Sequence, residues 1–237
     1  MIISKELLLS TVNSFGVNPD EIQVEMFDKF AQILIEWNGK FNLTAIKTPD
    51  EIVIKHFVDS LYIMKSVRFE EKQKLIDVGT GAGFPGLPLL IMNNDLDVTF
   101  LDSTGKKLTF IQAVLDELSL KGTTVVGRAE ELGQLLEHRE RYDFSTARAV
   151  SELKIGAELC LPLTKKGGTF IAMKGAKAFE EANEAKNAMK TLGGEIVGKD
   201  TIELPSAGER TVFIIKKISQ TPTKYPRNYS QISKHPL

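Results

Sequence analysis

The sequence predicts an α/β protein: a doubly wound, mostly parallel sheet that ends in an antiparallel strand pair, preceded by an N-terminal helical segment. Three observations carry that reading. Short β-branched runs alternate with helical stretches after residue 68, which is the signature of parallel βαβ units. A glycine-rich turn, "DVGTGAGFPG" (77–86), follows the first of those runs. The last two extended runs are separated only by "PSAGE" (205–209), too short for a parallel crossover.

The elements follow in order. Over 20–41 apolar residues recur at Ile22, Met26, Phe30, Ile33 or Leu34, Trp37 and Phe41, steps of three and four that share one helical face, with Trp37 as a core anchor. A second helix is expected from Pro49 to Lys65, with Thr48 as cap and Pro49 in the first turn. Strands are read at "KLIDVG" (74–79), "DVTFLD" (97–102), "TTVVGR" (123–128), "YDFSTA" (142–147) and "GTFIAMK" (168–174). Leu108, Ile111, Leu115 and Leu118 make the stripe of a helix between the second and third. An Ala-, Glu- and Lys-rich helix over 176–192, closed by Gly193-Gly194, precedes strands at 194–204 and 210–218. The chain thus divides into a helical segment (1–68) packed on the core, a catalytic-type α/β unit (69–218) and a basic, proline-containing tail (219–237) expected to be loosely held.

Composition excludes several function classes. With 30 Lys and Arg against 31 Asp and Glu, the net charge is −1, so nucleic-acid binding requires a local patch. Positive charge gathers in the last third, at Lys165, Lys166, Lys174, Lys177, Lys216, Lys217, Lys224, Arg227 and Lys234, although solvated surface lysines look the same. The single Cys160 allows no intramolecular disulfide, and "MIISKELLLS" lacks a signal-peptide layout, so a cytoplasmic protein is expected. No apolar run reaches the roughly 18 residues of a bilayer span, and no His/Cys cluster suggests a metal.

Ligands of open α/β sheets lie at the carboxyl ends of the strands. Gly79, Gly81 and Gly83 stand at such an end, where glycine permits a tight turn and close approach, and amides at the following helix start offer donors. "GAGFPG" (81–86) fits G-x-G-x-x-G, a dinucleotide pattern and hence a nicotinamide oxidoreductase. Against that, Asp77-x-Gly79-x-Gly81-x-Gly83 places a carboxylate beside the turn, ill suited to pyrophosphate and well suited to a cationic amino-acid end such as that of S-adenosylmethionine. Asp102, closing the second strand before Ser103 and Thr104, suits ribose hydroxyls in either cofactor. After the third strand, the Ala129 backbone and Glu130 are within reach of an adenine edge; Glu130 is equally a helix-start residue.

Together these features resemble the class I S-adenosylmethionine-dependent methyltransferases. More narrowly, "DVGTGAGFPGLPL", "WNGKFNLTAI" (37–46), "KHFVDSL" (55–61), "ARAV" (147–150), "MKG" (173–175) and "GERTVFIIKK" (208–217) resemble the bacterial small-subunit ribosomal RNA methyltransferase G family, also called glucose-inhibited division protein B, over about residues 10 to 227. The resemblance implies methyl transfer from S-adenosylmethionine to N7 of one guanine in 16S ribosomal RNA, with the small subunit or an assembly intermediate as partner; a monomer is expected, although the sequence does not fix the oligomeric state. A ribosome-binding protein that keeps the cofactor pocket but transfers nothing is the non-enzymatic alternative.

The residues fit that chemistry. Many nucleic-acid methyltransferases of this class that act on exocyclic amines carry Asn/Asp-Pro-Pro-aromatic after the fourth strand, whereas this chain reads "TARAVSE". Guanine N7 has a free lone pair, so alignment and burial suffice and no general base is expected. Arg148, at the end of the fourth strand, is a cofactor or substrate contact, its planar fork suiting the methionine carboxylate. Phe84 packs either on the cofactor or into the core. His56 either bonds Asp59 or Ser60 one turn on or faces the pocket. Lys174 and Arg210, at strand ends, are candidates for RNA phosphates, as is Arg227 in "KYPR". Beyond Arg227 the family's Lys-x-Gly-Thr-Pro-Asn-Lys is replaced by "NYSQISKHPL", which keeps only Lys234 and Pro236.

Overall fold

Two helices, α1 (Lys5–Asn13) and α2 (Glu21–Phe41), open the chain in the computed structural model, which describes residues 1–148 and 151–237. Asp20 caps α2 in a reciprocal box: its carboxylate accepts the Gln23 amide at 2.8 Å, and the Gln23 side chain accepts the Asp20 amide at 2.9 Å. The buried face of α2 is Val24, Phe27, Phe30, Ala31 and Leu34. The expected stripe is therefore rotated by about one residue: Met26, Ile33 and Trp37 flank the core, while Ile22 and Phe41 at the helix ends are exposed.

The second expected helix spans 49–65 but changes winding three times. A capped α turn, α3 (Pro49–Ile52), passes into a π-helical stretch (Val53–Val58), a short α4 (Asp59–Leu61) and a 3-10 turn (Tyr62–Lys65). A π segment inside a helix frequently marks a functional site. Here it carries Lys55 and His56, and Asp59 follows it directly.

The α/β unit then runs β1 (Lys74–Val78), α5 (Gly86–Met92), β2 (Asp97–Asp102), α6 (Gly105–Glu117), β3 (Thr123–Val126), α7 (Ala129–Leu132), β4 (Tyr142–Arg148), α8 (Leu153–Cys160) and β5 (Thr164–Lys174). After α9 (Ala178–Glu184) and α10 (Lys186–Leu192) come β6 (Gly194–Leu204), β7 (Gly208–Lys217) and α11 (Tyr229–Lys234). The seven strands form one sheet of order β3-β2-β1-β4-β5-β7-β6. β1 to β5 are parallel, and β7 runs antiparallel to both β5 and β6. The short loop after β6 dictates that reversal. The single helix expected over 176–192 is interrupted at Ala185, and β5 begins four residues earlier than the sequence suggests.

Successive strand residues point to opposite faces, and the core divides accordingly. Leu75, Phe100, Ile171 and Val212 join α1, α2, α5 and α6 in one apolar cluster. Ile76, Leu101, Phe170, Ala172 and Phe213 join α8 and α10 in the other. The N-terminal helices thus share a core with the sheet.

The tail is docked, contrary to the expectation of a loose end. Tyr225 and Ile232 are buried against the α8 side of the sheet. Arg227 forms a fork on Glu158, its Nε and Nη2 at 2.8 and 2.7 Å from the two carboxylate oxygens, and Glu158 is fully buried. Arg139 donates to the carbonyls of Thr221 and Tyr225 at 2.7 and 2.8 Å. Few apolar residues are needed when backbone carbonyls and one buried carboxylate hold the segment.

Candidate active site

The order β2-β1-β4 places the reversal of strand order between β1 and β4, and the carboxyl ends of the parallel strands define one edge. Two cavities open there, one over β1, β2 and β3, the other over β4, β5 and β7.

The first cavity is built on the glycine turn. Gly79, Gly81 and Gly83 all have positive φ, +67°, +61° and +85°, a left-handed backbone that side chains resist. The Gly79 and Thr80 amides donate to the Leu101 carbonyl at 2.8 and 3.0 Å, pinning the turn to β2. A Cβ on Gly81 would meet nothing nearer than 4.0 Å, so its face stays open, whereas one on Gly83 would stand 2.3 Å from Leu87 Cδ1.

Two carboxylates brace this turn. Asp77 is fully buried; its Oδ2 accepts the Thr80 hydroxyl at 2.6 Å and the Gly86 amide at 3.0 Å. Burial pushes its carboxyl up to about 6. The structure thus corrects the reading of Asp77 as a contact for a cationic ligand end: Oδ2 holds the turn, and Oδ1 is buried with no hydrogen-bond partner among the described residues. Asp102, also buried, accepts the Gly81 amide at 3.1 Å and the Thr104 amide at 2.9 Å, and pairs with Lys107 at 3.2 Å.

Gly79, Asp102, Ser103, Ala129 and Glu130 line one slot of about 100 Å³, as the sequence reading places them, together with Leu159 and Tyr229. Tyr229 comes from the tail and carries no sequence signal that would have put it there. The helix-start amides expected to be free are not: Gly83 and Phe84 donate to the Thr80 carbonyl, Leu87 to the Gly83 carbonyl and Gly86 to Asp77. Those four amides are therefore taken before any pyrophosphate arrives, which counts against the dinucleotide reading.

Phe84 does not face this slot. It is 4% exposed, and its ring stacks with Phe30 (5.2 Å) and His56 (4.2 Å), so its core role is the one realised. His56 is buried beside it. Arg148 Nη2 donates to His56 Nδ1 at 3.1 Å, and a guanidinium can only donate, so the ring hydrogen sits on Nε2 and points to Thr44 Oγ1 at 3.0 Å. Burial, then the Arg148 charge, drive the His56 imidazole down to about 3, so it is neutral. It positions its neighbours and is not a phosphate contact.

Arg148 is held through both Nη atoms. Nη1 donates to the Lys55 carbonyl at 3.1 Å and to Asp59 Oδ2 at 3.0 Å, and the guanidinium lies 4.9 Å from the Phe84 ring. Its fork grips the π segment in place of a ligand carboxylate. Asp59 Oδ1 faces Arg210 at 3.4 Å, and burial raises the Asp59 carboxyl against the pull of both guanidinium groups.

These residues form the wall of the second cavity, about 540 Å³, which also includes Ile46, Ser151, Met173, Lys174 and Glu181. Strand register explains the convergence: Arg148 pairs with Met173 across β4 and β5, and Lys174 pairs with Thr211, next to Arg210, across β5 and β7. Lys174 is tied to Glu181 at 2.9 Å and donates to the Ser151 carbonyl. The lining carries Lys55, Arg148, Lys174 and Arg210 against Asp59 and Glu181, so it is net positive, with Lys55 also paired at 2.7 Å to Glu51 just outside it. Arg227, in contrast, is far from this wall in role, since Glu158 takes its guanidinium. The motif residues Ala149 and Val150 lie outside the described residues.

Sequence reasoning did not single out Lys55, Asp59 as an arginine partner, or Glu181. Their convergence depends on the π winding and on pairs about 90 residues apart, such as Lys55 with Arg148. Among the described residues no group of His, Cys, Asp and Glu is placed to hold a metal, and no helix is long and apolar enough to cross a membrane.

Comparison with known proteins agrees with this geometry. Solved structures with the same fold include the CurJ carbon methyltransferase (TM-score 0.52, 15% identity, 70% of this chain and 55% of that one) and the YcgJ protein from Bacillus subtilis (TM-score 0.52, 12% identity, 69% and 100%). Much nearer in sequence are proteins named ribosomal RNA small subunit methyltransferase G. That of Acetivibrio thermocellus is 46% identical, over 98% of this chain and 96% of the relative. That of Alkaliphilus metalliredigens is 44% identical, over 99% of each. The family profile described as rRNA small subunit methyltransferase G matches residues 23–204, and the chain belongs to that family.

Proposed function

We propose that the protein transfers the methyl group of S-adenosylmethionine to N7 of one guanine in 16S ribosomal RNA, acting as a monomer on the small subunit or an assembly intermediate. The observation that carries the finer part of this reading is the lack of a poised base in the net-positive cavity, among the described residues. His56 is neutral with both ring nitrogens occupied, each Asp59 oxygen faces a guanidinium, and Glu181 is held by Lys174. Such a chamber suits a nucleophile that loses no proton before attack, and guanine N7 is one.

The residues present fit the cofactor. Asp102 is placed for ribose hydroxyls, the open face of Gly81 for close approach, and the slot by Ala129 and Glu130 for the adenine. S-adenosylmethionine supplies an electrophilic methyl group on a sulfonium when bound. The chain's own work is alignment and exclusion of water at the carboxyl edge of the sheet, with Lys55, Lys174 and Arg210 favouring an RNA backbone nearby.

Incubation with tritiated S-adenosylmethionine and unmodified small subunits tests the proposal. Label in the ribosomal RNA is expected, with no rate limb from a histidine ionisation between about pH 6 and 8. Cofactor binding without label would support the non-enzymatic reading, and calorimetric binding of NAD in place of S-adenosylmethionine would overturn the cofactor assignment.

A further inference from the structure

We propose that the C-terminal segment is part of the cofactor site, and that Tyr229 forms the outer wall on which the adenine stacks. The inference rests on the cofactor placement above and extends it to a residue outside the α/β unit. Tyr229 lines the slot that also contains Asp102, Ala129, Glu130 and Leu159. Its position is fixed from both sides. Two residues earlier, the Arg227 backbone amide and guanidinium all bind the buried carboxylate of Glu158, at 3.0, 2.8 and 2.7 Å. Three residues later, Ile232 is fully buried.

Between these anchors Tyr229 remains 38% exposed, a large aromatic residue beside a cavity. At about 100 Å³ the slot is well below the roughly 300–1,000 Å³ of small-molecule pockets. A base entering it therefore meets the ring. Ala129 and Leu159 give the slot an apolar side suited to a flat heterocycle, and every nucleobase offers a π face to an aromatic side chain. The segment that differs most from the family pattern thereby reaches the cofactor, and its Arg227 serves as the clamp that brings it there.

Calorimetry with S-adenosylhomocysteine tests this in the full chain. Tyr229→Ala is expected to bind about tenfold to a hundredfold more weakly, the affinity range of one base–aromatic stack, and Tyr229→Phe within about twofold of the wild type. Equal affinity of the alanine variant and the wild type overturns the inference. An independent readout is Tyr229→Trp, whose emission is expected to be quenched at saturating S-adenosylhomocysteine against the constant background of the single native tryptophan, Trp37. Unchanged emission counts against stacking. If the wild type itself does not bind, the cofactor placement fails and the role of Tyr229 falls with it, an outcome distinct from a wild type that binds and a variant that matches it.

Discussion

Replacing Asp102 with asparagine removes one charge and almost no volume, so its effect isolates what the carboxylate does. The carboxylate accepts the Gly81 amide at 3.1 Å and the Thr104 amide at 2.9 Å, with Lys107 alongside at 3.2 Å. An asparagine oxygen can keep one of those amides. Its NH2 then faces the other as donor against donor, and an entering ribose loses a charged acceptor. Hydrogen bonds to charged groups contribute about 1.5–3 kcal/mol, so the Kd for S-adenosylhomocysteine should rise by about tenfold to a hundredfold. Isothermal calorimetry on both proteins reads this directly, with thermal unfolding as the control for the turn. A Kd within about twofold of the wild type, in a folded variant, would refute the placement of the ribose at Asp102.

Other expectations follow from the same geometry. Arg227→Met leaves the buried Glu158 carboxylate unpaired, so urea unfolding should show a loss of about 3–5 kcal/mol; an RNA-phosphate role predicts instead normal stability and a shallower salt dependence of RNA binding. Gly83→Ala should be more destabilising than Gly81→Ala: both carry the left-handed strain of about 1–2 kcal/mol, but only at Gly83 does the new methyl strike Leu87. Comparing the two midpoints in urea decides it. Because the folded state holds the Asp77 proton up to about pH 6 and the unfolded chain releases it near 3.8, stability from this group falls as pH rises through that window. Asp77→Asn should therefore gain on the wild type by up to about 3 kcal/mol between pH 4 and 7 in paired denaturation curves, and a pH-independent difference would show that Asp77 is ionised throughout.

Much of the architecture was legible because it is written in local pattern. β-branched runs mark the strands, the short loop before β7 fixes its direction, and the positive-φ glycines mark the turn. Residues at the carboxyl ends of three successive parallel strands, Gly79, Asp102, Ser103, Ala129 and Glu130, do come together, because parallel strands bring those ends to one edge. What was not legible depends on distant pairs. No composition distinguishes a π turn from an α turn, yet the π segment brings Lys55 and His56 to Arg148. Phe84 and Arg148 sit where ligand contacts are expected, but Phe30 and His56 cover the first, and Asp59, His56 and the Lys55 carbonyl occupy the second. The tail looked loose because it holds few apolar residues; its order comes from Glu158, contributed by α8.

The position of the transferred methyl group tests the central claim most directly. Small subunits lacking the modification, incubated with the protein and S-adenosylmethionine, can be digested and mapped by mass spectrometry, with chemical strand scission specific for N7-methylguanosine locating the base. A single guanine carrying the methyl on N7, absent without cofactor, is the predicted result. A methyl on an exocyclic amine or on a pyrimidine carbon, each of which requires a base to remove a proton, would contradict the account of a cavity built for alignment alone.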